Sequence, residues 1–334
     1  MKVTMETIAK KVGISRNAVS LAMRSHPSIS EATRKKVLKV AEELGYQRNP
    51  AYGELMSQMR LKGHGSTQAT LALFNANRDP NAFQEHPTIP SYVEGCRRRA
   101  AELGYPLDTF WLHEPETSSD RWIDILESRR IRGLVLVGFM RQNRIPEHLH
   151  PLLEHFPTVV TGVRTRDPAL SFACVDHHIL ALRAFEKALE LGYQCPGLVL
   201  DGVIDNLVEH RFSAGYRSGQ QALPKSRQLR PFFDVEAATQ NPDLFAQWLQ
   251  KEQPDVIFTL FNVVKRWLTD LGYSAPKDIG LIQLEWRATH PEWAGMNQHN
   301  DITGEAAIDM LICMIHRGES SILDFPRATL IGPT

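Results

Sequence analysis

The sequence predicts an all-α head followed by a larger α/β body, and three observations carry this prediction. In residues 1–48, apolar residues recur every three or four positions, which is the spacing of short helices. From residue 69, runs that are apolar throughout alternate with amphipathic helices, as in parallel sheets covered on both faces. The first 62 residues hold twelve Lys and Arg against five Glu, a net charge of +7 in a chain whose net charge is zero. The two parts therefore differ in both fold class and charge.

Three short helices fit the head. The first follows Thr4, a side chain that suits a helix N-cap, and Gly13 makes the turn after it. Ser15 then caps a second helix, and Ser30 begins a longer third helix that ends at Gly45. The apolar residues would lie on one face of each helix, so the three helices are expected to pack together.

Seven apolar runs of the body are predicted strands, at 69–74, 107–112, 133–138, 158–163, 197–202, 256–261 and 279–284. The helices between them are predicted at 92–103, 120–129, 178–191, 209–222, 243–251 and 302–316. The tripeptide Leu-Gly-Tyr, preceded each time by Glu or Asp, occurs at 44–46, 103–105, 191–193 and 271–273. Because glycine adopts the left-handed conformation just past a helix end, each tripeptide predicts a helix exit.

Composition narrows the class of protein. A chain of 334 residues suits a small domain plus a large one, and 43% hydrophobic with 23% charged residues is typical of a globular protein. The four cysteines form no CxxC pair, so we expect buried thiols, no disulfide framework, no metal and no cofactor. The sequence contains no apolar signal core and no apolar stretch long enough to cross a membrane, which predicts a cytoplasmic protein without membrane contact.

The basic head has the pattern of a DNA-binding helix-turn-helix. Its second helix would enter a major groove with Arg16 and Asn17 at the base edges. Arg can form two hydrogen bonds with guanine, and Asn can form two with adenine. Hydroxyls and cations that would hold phosphates and fix the register are Ser15, Ser20, Arg24, Ser30, Thr33 and Arg34. The alternative is a three-helix bundle with only a structural role.

These residues resemble the lac-repressor/galactose-repressor family, through T-M-E-T-I-A-K-K-V-G-I-S-R-N-A-V-S at 4–20 and S-I-S-E-A-T-R-K-K-V-L-K-V-A-E-E-L-G-Y-Q-R-N-P at 28–50. The resemblance implies a homodimer that reads a pseudo-palindromic operator on double-stranded DNA. It also implies a hinge helix after Asn49, with Leu55 wedged into the minor groove. Leu21 is an expected DNA contact, at a position where the family usually has a polar or basic base reader.

The body resembles the same family more loosely, at 127–136, 176–185 and 276–285. This implies a periplasmic-binding-protein-like body of two doubly wound parallel-sheet lobes, joined by three crossings, with an effector in the cleft. The expected domains are a helix-turn-helix domain at 1–48, a hinge helix and linker at 49–67 and an effector-binding and dimerisation domain at 68–334. Within the last, lobe 1 is expected at about 68–163 plus 296–318 and lobe 2 at about 170–293 plus 321–334.

Candidate effector contacts are polar residues that follow predicted strands, because parallel sheets bind ligands beyond the carboxyl ends of their strands. They are Asn75, Asp201, Asn262, Glu285 and Trp286. The carboxylate of Glu285 can accept hydrogen bonds from sugar hydroxyls, and an indole can pack on the C–H face of a sugar. Glu285 stands where the family often has a ligand-binding Asp, although an ordinary surface carboxylate is the alternative. Arg211 resembles the family's effector-binding Arg, and Gly162 replaces a carboxylate that some members have.

Together these features predict a transcriptional regulator, and specifically a repressor, that is controlled by a small-molecule effector, expected to be a sugar. Two alternatives remain, a sugar receptor with an inactive head and a carbohydrate-acting α/β enzyme with an accessory head. Against an enzyme, the sequence has no GxGxxG, GxxxxGK[ST] or GxSxG motif, and no catalytic residue is predicted. Asp176-His177-His178 lacks a third metal ligand nearby, and Glu285 lacks the carboxylate partner that glycoside hydrolysis needs.

Overall fold

The computed structural model describes residues 5–15, 18–19, 22, 29–44, 69–115 and 117–334. It divides into two compact units, Met1–Thr67 and Gln68–Thr334, which we call the head and the body. Among the described residues, none of the helices combines the length and the apolar character needed to span a membrane.

The head is helical, as predicted. Helix α1 is Met5–Val12, helix α2 is Glu31–Glu43, and residues 18, 19 and 22 are also helical. The Oγ atom of Ser15 accepts a hydrogen bond from the Ala18 N–H at 3.1 Å, and the Oγ atom of Ser30 accepts one from the Thr33 N–H at 3.3 Å. These bonds confirm the two predicted helix caps. A small apolar core joins the helices: Ile8, Ala9, Val12, Val19, Ala22, Val37 and Ala41.

The body contains two parallel sheets. The first has six strands in the order β10-β5-β4-β3-β1-β2, namely β1 (Thr70–Asn75), β2 (Leu107–Trp111), β3 (Ile131–Val137), β4 (Thr158–Thr161), β5 (Ser171–Val175) and β10 (Ala328–Ile331). The second has four strands in chain order, β6 (Pro196–Val199), β7 (Val256–Thr259), β8 (Gly280–Gln283) and β9 (Ala294–Gly295). We call the region around the six-stranded sheet lobe 1 and the region around the four-stranded sheet lobe 2.

Helices connect the strands, as the alternating pattern predicted. They are α3 (Ala82–Glu85), α4 (Ile89–Glu102), α5 (Ser119–Ser128), α6 (His150–His155), α7 (His177–Glu190), α8 (Gly202–Leu207), α9 (Arg211–Gln220), α10 (Val235–Gln240), α11 (Asp243–Glu252), α12 (Val263–Asp270) and α13 (Asn300–Arg317). Two 3₁₀ turns lie at Glu147–Leu149 and Lys225–Arg227. All seven predicted strands are present, whereas β5, β9 and β10 were not predicted.

The expected division of the lobes is wrong at two segments. Strand β5 and strand β10 were assigned to lobe 2, but both lie in the sheet of lobe 1, where Phe172 pairs with Ala328 and Val175 with Ile331. The physical reason is that β5 is buried along its whole length and therefore needs a hydrogen-bonded strand on each side. The strand order changes sheet after β5 and after β9, and after β10 the chain hydrogen-bonds through Pro333 to Arg183 of α7 and through Thr334 to Asn297.

The three Leu-Gly-Tyr tripeptides of the body end helices as predicted. Gly104, Gly192 and Gly272 have φ values of 77°, 96° and 84°. The tyrosine N–H that follows each glycine donates to a carbonyl five residues earlier, as in Tyr105 to Ala100 at 2.8 Å. Each helix therefore ends in the closed turn that glycine permits.

Helices α4 and α13 cover one face of the six-stranded sheet and approach each other closely. A Cβ atom at Gly95 would overlap the backbone oxygen of Asp301, so the helices can pack at this distance only with glycine there. Arg98 of α4 also forms ion pairs with α13. Its Nη2 atom lies 2.9 Å from Asp301 Oδ2, and its Nε atom lies 2.6 Å from Glu305 Oε1. This packing sets the position of the first turns of both helices.

We expect Gly95→Ala to destabilise the body by about 1–3 kcal/mol, the usual cost of inserting a methyl group into a packed core. Urea unfolding of the full chain measures the change. Gly332→Ala is the control, because no atom lies within 4 Å of a Cβ at Gly332. Equal stability of the two variants would contradict the close packing of α4 and α13.

Candidate functional site

The described part of the predicted DNA-contacting surface carries an excess of positive charge. Lys11 pairs with Glu43 at 3.4 Å and Lys35 with Glu31 at 3.1 Å. Further basic side chains are exposed without an ion pair among the described residues of the head: Lys10, Arg34, Lys36 and Lys39. These cations could neutralise phosphates.

In the body, Glu285 follows strand β8 and joins the two lobes. Its side chain is 10% exposed, and its Oε2 atom accepts hydrogen bonds from Thr88 Oγ1 at 3.0 Å and Arg287 Nη2 at 2.6 Å. The Oε1 atom accepts a bond from Asn300 Nδ2 at 3.0 Å. Thr88 and Asn300 belong to lobe 1, at the starts of α4 and α13. Burial raises the pKa of Glu285, and the charge of Arg287 and the three hydrogen bonds oppose this shift.

Several polar atoms around Glu285 have no hydrogen-bond partner. They are Gln283 Oε1, Arg287 Nε and Asn300 Oδ1, and each is buried. Together they offer one donor and two acceptors beside the carboxylate. A small pocket opens here, lined by Asn262, Gln283, Glu285, Arg287, His290 and Trp293, and we call it the Glu285 pocket. Because buried polar groups in proteins are almost always paired, these atoms suit the hydroxyls of a bound molecule.

A second small pocket, the Arg211 pocket, lies where β4 and β5 meet the start of α9. It is lined by Gly162, Val163, Arg164, Phe172, Cys174, His177, Val208, Glu209 and Arg211. His177 is 5% exposed, and burial together with the charge of Arg211 lowers its pKa to about 3, so the imidazole is neutral at pH 7. Burial raises the pKa of Cys174 to about 12, which keeps its thiol protonated. The arginines and Glu209 therefore carry the charge of this pocket.

Tyr92 of helix α4 is buried beside the Arg211 pocket. Its ring packs against Gly162 of that pocket's lining, where an added Cβ atom would be 3.2 Å from the tyrosine oxygen. Burial raises the pKa of Tyr92, and the charge of Glu285 adds to the increase. Gly162 also has a φ of +81°, which disfavours any side chain there. Tyr92 therefore contacts the lining of one pocket and experiences the charge of the carboxylate in the other.

Ion pairs also cross the cleft. Glu209 of lobe 2 lies 3.6 Å from Arg164 Nη1 and 3.6 Å from Arg166 Nε, both of lobe 1. Arg141 of lobe 1 lies 4.0 Å from Glu236 of lobe 2. These contacts hold the lobes together on the Arg211 side, as the bonds of Glu285 do on the other.

Comparison with known proteins identifies the head. A family model described as "Bacterial regulatory proteins, lacI family" matches residues 4–49. The match covers the head and leaves the body unmatched. The match confirms the resemblance of the predicted helix-turn-helix.

Curated relatives of the chain are distant. The HTH-type transcriptional regulator MalR of Streptococcus pneumoniae serotype 4 is 24% identical over 162 residues, 48% of this chain and 46% of MalR. The chain thus spans about half the length of this relative. The NTD biosynthesis operon regulator NtdR of Bacillus subtilis is 21% identical over 285 residues, 84% of this chain and 81% of NtdR.

Solved structures with the same fold include several lacI-family regulators. A transcriptional regulator CelR–cellobiose complex has a TM-score of 0.58 at 19% identity, covering 99% of this chain and 98% of that one. The lac repressor dimer bound to operator and the anti-inducer ONPF has a TM-score of 0.58 at 16% identity, covering 100% and 97%. A LacI-family regulatory protein from Chloroflexus aggregans has a TM-score of 0.61 at 16% identity, covering 79% and 95%. At these identities the likeness concerns the fold, and it confirms the predicted fold class.

The structure brings together some of the effector residues predicted in the body. Asn262 and Glu285 line the Glu285 pocket, and Arg211 lines the other. Asn75 and Asp201 line neither pocket, because their side chains form hydrogen bonds with nearby backbone groups. Asn75 Nδ2 donates to the Asp79 carbonyl at 2.9 Å, and Asp201 accepts from the Val203 N–H at 2.8 Å. Trp286 also lies outside both pocket linings.

The predicted DNA contacts of the lacI-family head are only partly described. Ser15, Ser30, Thr33 and Arg34 are within the described residues, where the two serines serve as helix caps. The others lie outside them: Arg16, Asn17, Ser20, Leu21, Arg24, Asn49 and Leu55.

Sequence reasoning missed Thr88, Tyr92, Arg287 and Asn300. Of these, only Arg287 carried a signal, since it follows the expected ligand carboxylate by two residues. Thr88 precedes a helix 197 residues away in the chain and Asn300 begins a helix 15 residues after Glu285, and only the folded body places both at the carboxylate.

The raised pKa of Glu285 predicts a pH-dependent stability. Between the ordinary pKa of 4.5 and the raised value, the folded protein binds more protons than the unfolded chain. The free energy of unfolding of wild type relative to Glu285→Gln should therefore decrease as pH rises above about 4.5. Urea unfolding at a series of pH values measures this difference.

Glu319→Gln provides a control of opposite sign. Hydrogen bonds from Arg327 lower the pKa of Glu319, so its stabilising contribution is present above pH 4.5 and is lost as pH falls through the lowered value. Wild type relative to Glu319→Gln should become more stable as pH rises. The same slope for both substitutions would exclude a buried, disfavoured carboxylate at Glu285.

Proposed function

We propose that the protein is a sequence-specific DNA-binding transcriptional repressor whose operator affinity is set by a small molecule, a sugar or sugar derivative, held between the lobes. The observation that carries the proposal is the presence, in one chain, of a lacI-family head and a two-lobed body with a cleft of unpaired buried polar atoms. It is supported by the similar proteins, which include transcriptional regulators, an operator complex and a cellobiose complex.

On the DNA side, we propose that a homodimer reads a pseudo-palindromic operator. Arg16 and Asn17 would contact base edges, with Leu21 nearby on the same helix. Phosphate contacts would come from Ser15, Ser20, Arg24, Ser30, Thr33 and Arg34, and a hinge helix after Asn49 would insert Leu55 into the minor groove. The exposed, unpaired Arg34 at the first turn of α2 supports this placement.

On the effector side, we propose that Glu285 accepts hydrogen bonds from ligand hydroxyls. Gln283 Oε1, Asn300 Oδ1 and Arg287 Nε have no hydrogen-bond partner in the part of the chain that the structure describes, so they can complete the recognition of neighbouring hydroxyls. Asn262 and Trp293 line the same pocket and supply an amide and an aromatic face.

Coupling between the sites would pass through lobe closure. Hydrogen bonds and ion pairs cross the cleft at Glu285, Glu209 and Glu236, and a ligand among them changes which lobe arrangement is favoured. A ligand shifts DNA affinity only by its differential affinity for the two arrangements, and DNA must shift ligand affinity reciprocally. We further propose that the chain catalyses no reaction and acts in the cytoplasm, where its operator would be.

The DNA-binding proposal is tested by selecting binding sequences from random duplex DNA with the full chain and measuring affinity by fluorescence anisotropy. Arg34→Ala should weaken binding to all sequences and reduce the slope of log affinity against log salt by about 1, because one phosphate contact is lost. Lys225→Ala, an exposed cation of the body, should change neither. Binding without sequence preference would contradict the proposal.

The sensor proposal is tested by calorimetry with a panel of monosaccharides, disaccharides and their derivatives, followed by operator binding in the presence of any ligand found. Glu285→Gln should retain operator binding and reduce ligand affinity about tenfold or more, since hydrogen bonds to a charged acceptor are lost. Glu154→Gln, an exposed glutamate of α6, is the matched control. An unaltered ligand response in Glu285→Gln would exclude the Glu285 pocket as the binding site.

A further inference from the structure

We propose that the cleft ligand carries an anionic group, a phosphate or a carboxylate, bound by Arg211 and Arg164, and that this group displaces Glu209 from Arg164. The inference rests on the proposed function and specifies the ligand class at the Arg211 pocket. A sugar phosphate or a sugar acid would satisfy both ends of the cleft.

The first observation is that Arg211 has no partner. Its guanidinium lines the Arg211 pocket and is half-buried, yet among the described residues it makes no hydrogen bond or ion pair. Arginine presents donors in a planar fork that matches phosphate and carboxylate oxygens. A partly buried, unpaired guanidinium at a cleft therefore favours an anion from outside the protein.

The second observation is that His177 is also unpartnered. Its ring is 5% exposed and stacks edge-on against Phe212 with the ring centroids 4.6 Å apart, but neither ring nitrogen has a hydrogen-bond partner among the described residues. Because the imidazole is neutral, it can donate one hydrogen bond to an anionic oxygen without adding charge. Arg211 and His177 thus approach the same pocket with free donors.

The third observation is the difference in charge between the two ends of the cleft. In the Glu285 pocket, one carboxylate and one guanidinium are in contact at 2.6 Å and neutralise each other. The Arg211 pocket is lined by two arginines and one glutamate, and Arg166 approaches the same glutamate from outside the lining. The first end suits hydroxyls, whereas the second retains an excess of positive charge.

The fourth observation is that Glu209 is held in a position that an anion could take over. Glu209 and His210 have φ values of +58° and +60°, a conformation that costs non-glycine residues energy. The buried carboxylate of Asp205 maintains this bend by accepting hydrogen bonds from His210 Nδ1 at 3.1 Å and Ser213 Oγ at 2.7 Å. The bend directs Glu209 toward Arg164 and Arg166 at 3.6 Å, with Arg211 immediately after it.

An anionic group bound to Arg211 and Arg164 would therefore compete with Glu209 for the same guanidinium. The ion pair that Glu209 makes across the cleft would be exchanged for one made by the ligand, which would bridge lobe 2 through Arg211 and lobe 1 through Arg164. Ligand binding would then alter the contacts between the lobes directly.

The experiment compares glucose, glucose 6-phosphate and gluconate, the corresponding ribose and ribose 5-phosphate pair, and inorganic phosphate alone. Binding to the full chain is measured by calorimetry and thermal stabilisation at constant ionic strength. At least one anionic compound should bind about tenfold or more tightly than its neutral parent, because charge-assisted bonds are added. Tighter binding of the phosphorylated sugars than of gluconate would indicate a phosphate site, and the reverse order would indicate a carboxylate site.

Variants separate a binding role from a structural one. Arg211→Gln should remove the preference for the anion, whereas Arg217→Gln, an exposed arginine of the same helix, should retain it. Glu209→Gln should increase anion affinity, because the internal competitor is gone, and a merely structural role would not produce this gain. The proposal is wrong if no anion binds in an Arg211-dependent way, or if a neutral sugar binds as tightly as its acid derivatives. The proposed function is judged separately, by operator binding.

Discussion

The hydrogen-bonded carboxylate of Glu285 is the contact on which the geometry of the cleft depends. It belongs to lobe 2, but two of its three partners, Thr88 and Asn300, begin the helices of lobe 1 that pack together through Gly95. A buried charge is tolerated only when it is paired and hydrogen-bonded, and here the pairing requires both lobes. Any molecule that takes over one of these bonds must change the relation between the lobes, which makes the site suitable for a sensor.

Charged side chains are neutralised in different ways in the Glu285 pocket and the Arg211 pocket. At Glu285, the protein supplies its own counter-charge through Arg287, and among the described residues Arg287 Nε and two amide oxygens stay unpaired. At Arg211, it leaves a guanidinium without a partner and uses Glu209 to neutralise two other arginines. Tyr92 is buried beside Gly162 of the Arg211 pocket, and the charge of Glu285 contributes to the increase of its pKa. A small molecule with hydroxyls at one side and negative charge at the other is complementary to this arrangement.

Local patterns were sufficient to predict the head caps, the alternating strands and helices and the Leu-Gly-Tyr exits, because each depends on a few consecutive residues. They did not reveal β5, whose Ser-Phe-Ala-Cys-Val sequence is short and contains small residues, nor its pairing with β10, which is distant in the chain. The same limit applies to the site. Glu285 follows a strand and was predicted, as was Asn75, but only tertiary contacts show that Asn75 holds its own loop. The partners Thr88 and Asn300 come from other segments and leave no local signal.

The difference between fold and ligand also explains what distant relatives can and cannot indicate. A shared fold at 16–19% identity requires only that apolar positions and turns recur, since many side chains satisfy the same burial pattern. Ligand selection requires particular charges at particular atoms, so exchanging a single arginine can change the preferred ligand while the sheets remain unaltered. In this body, Arg287 beside Glu285 and the unpaired Arg211 are such residues. The chemistry of the ligand is therefore better inferred from their pairing than from the ligands of proteins that share the fold.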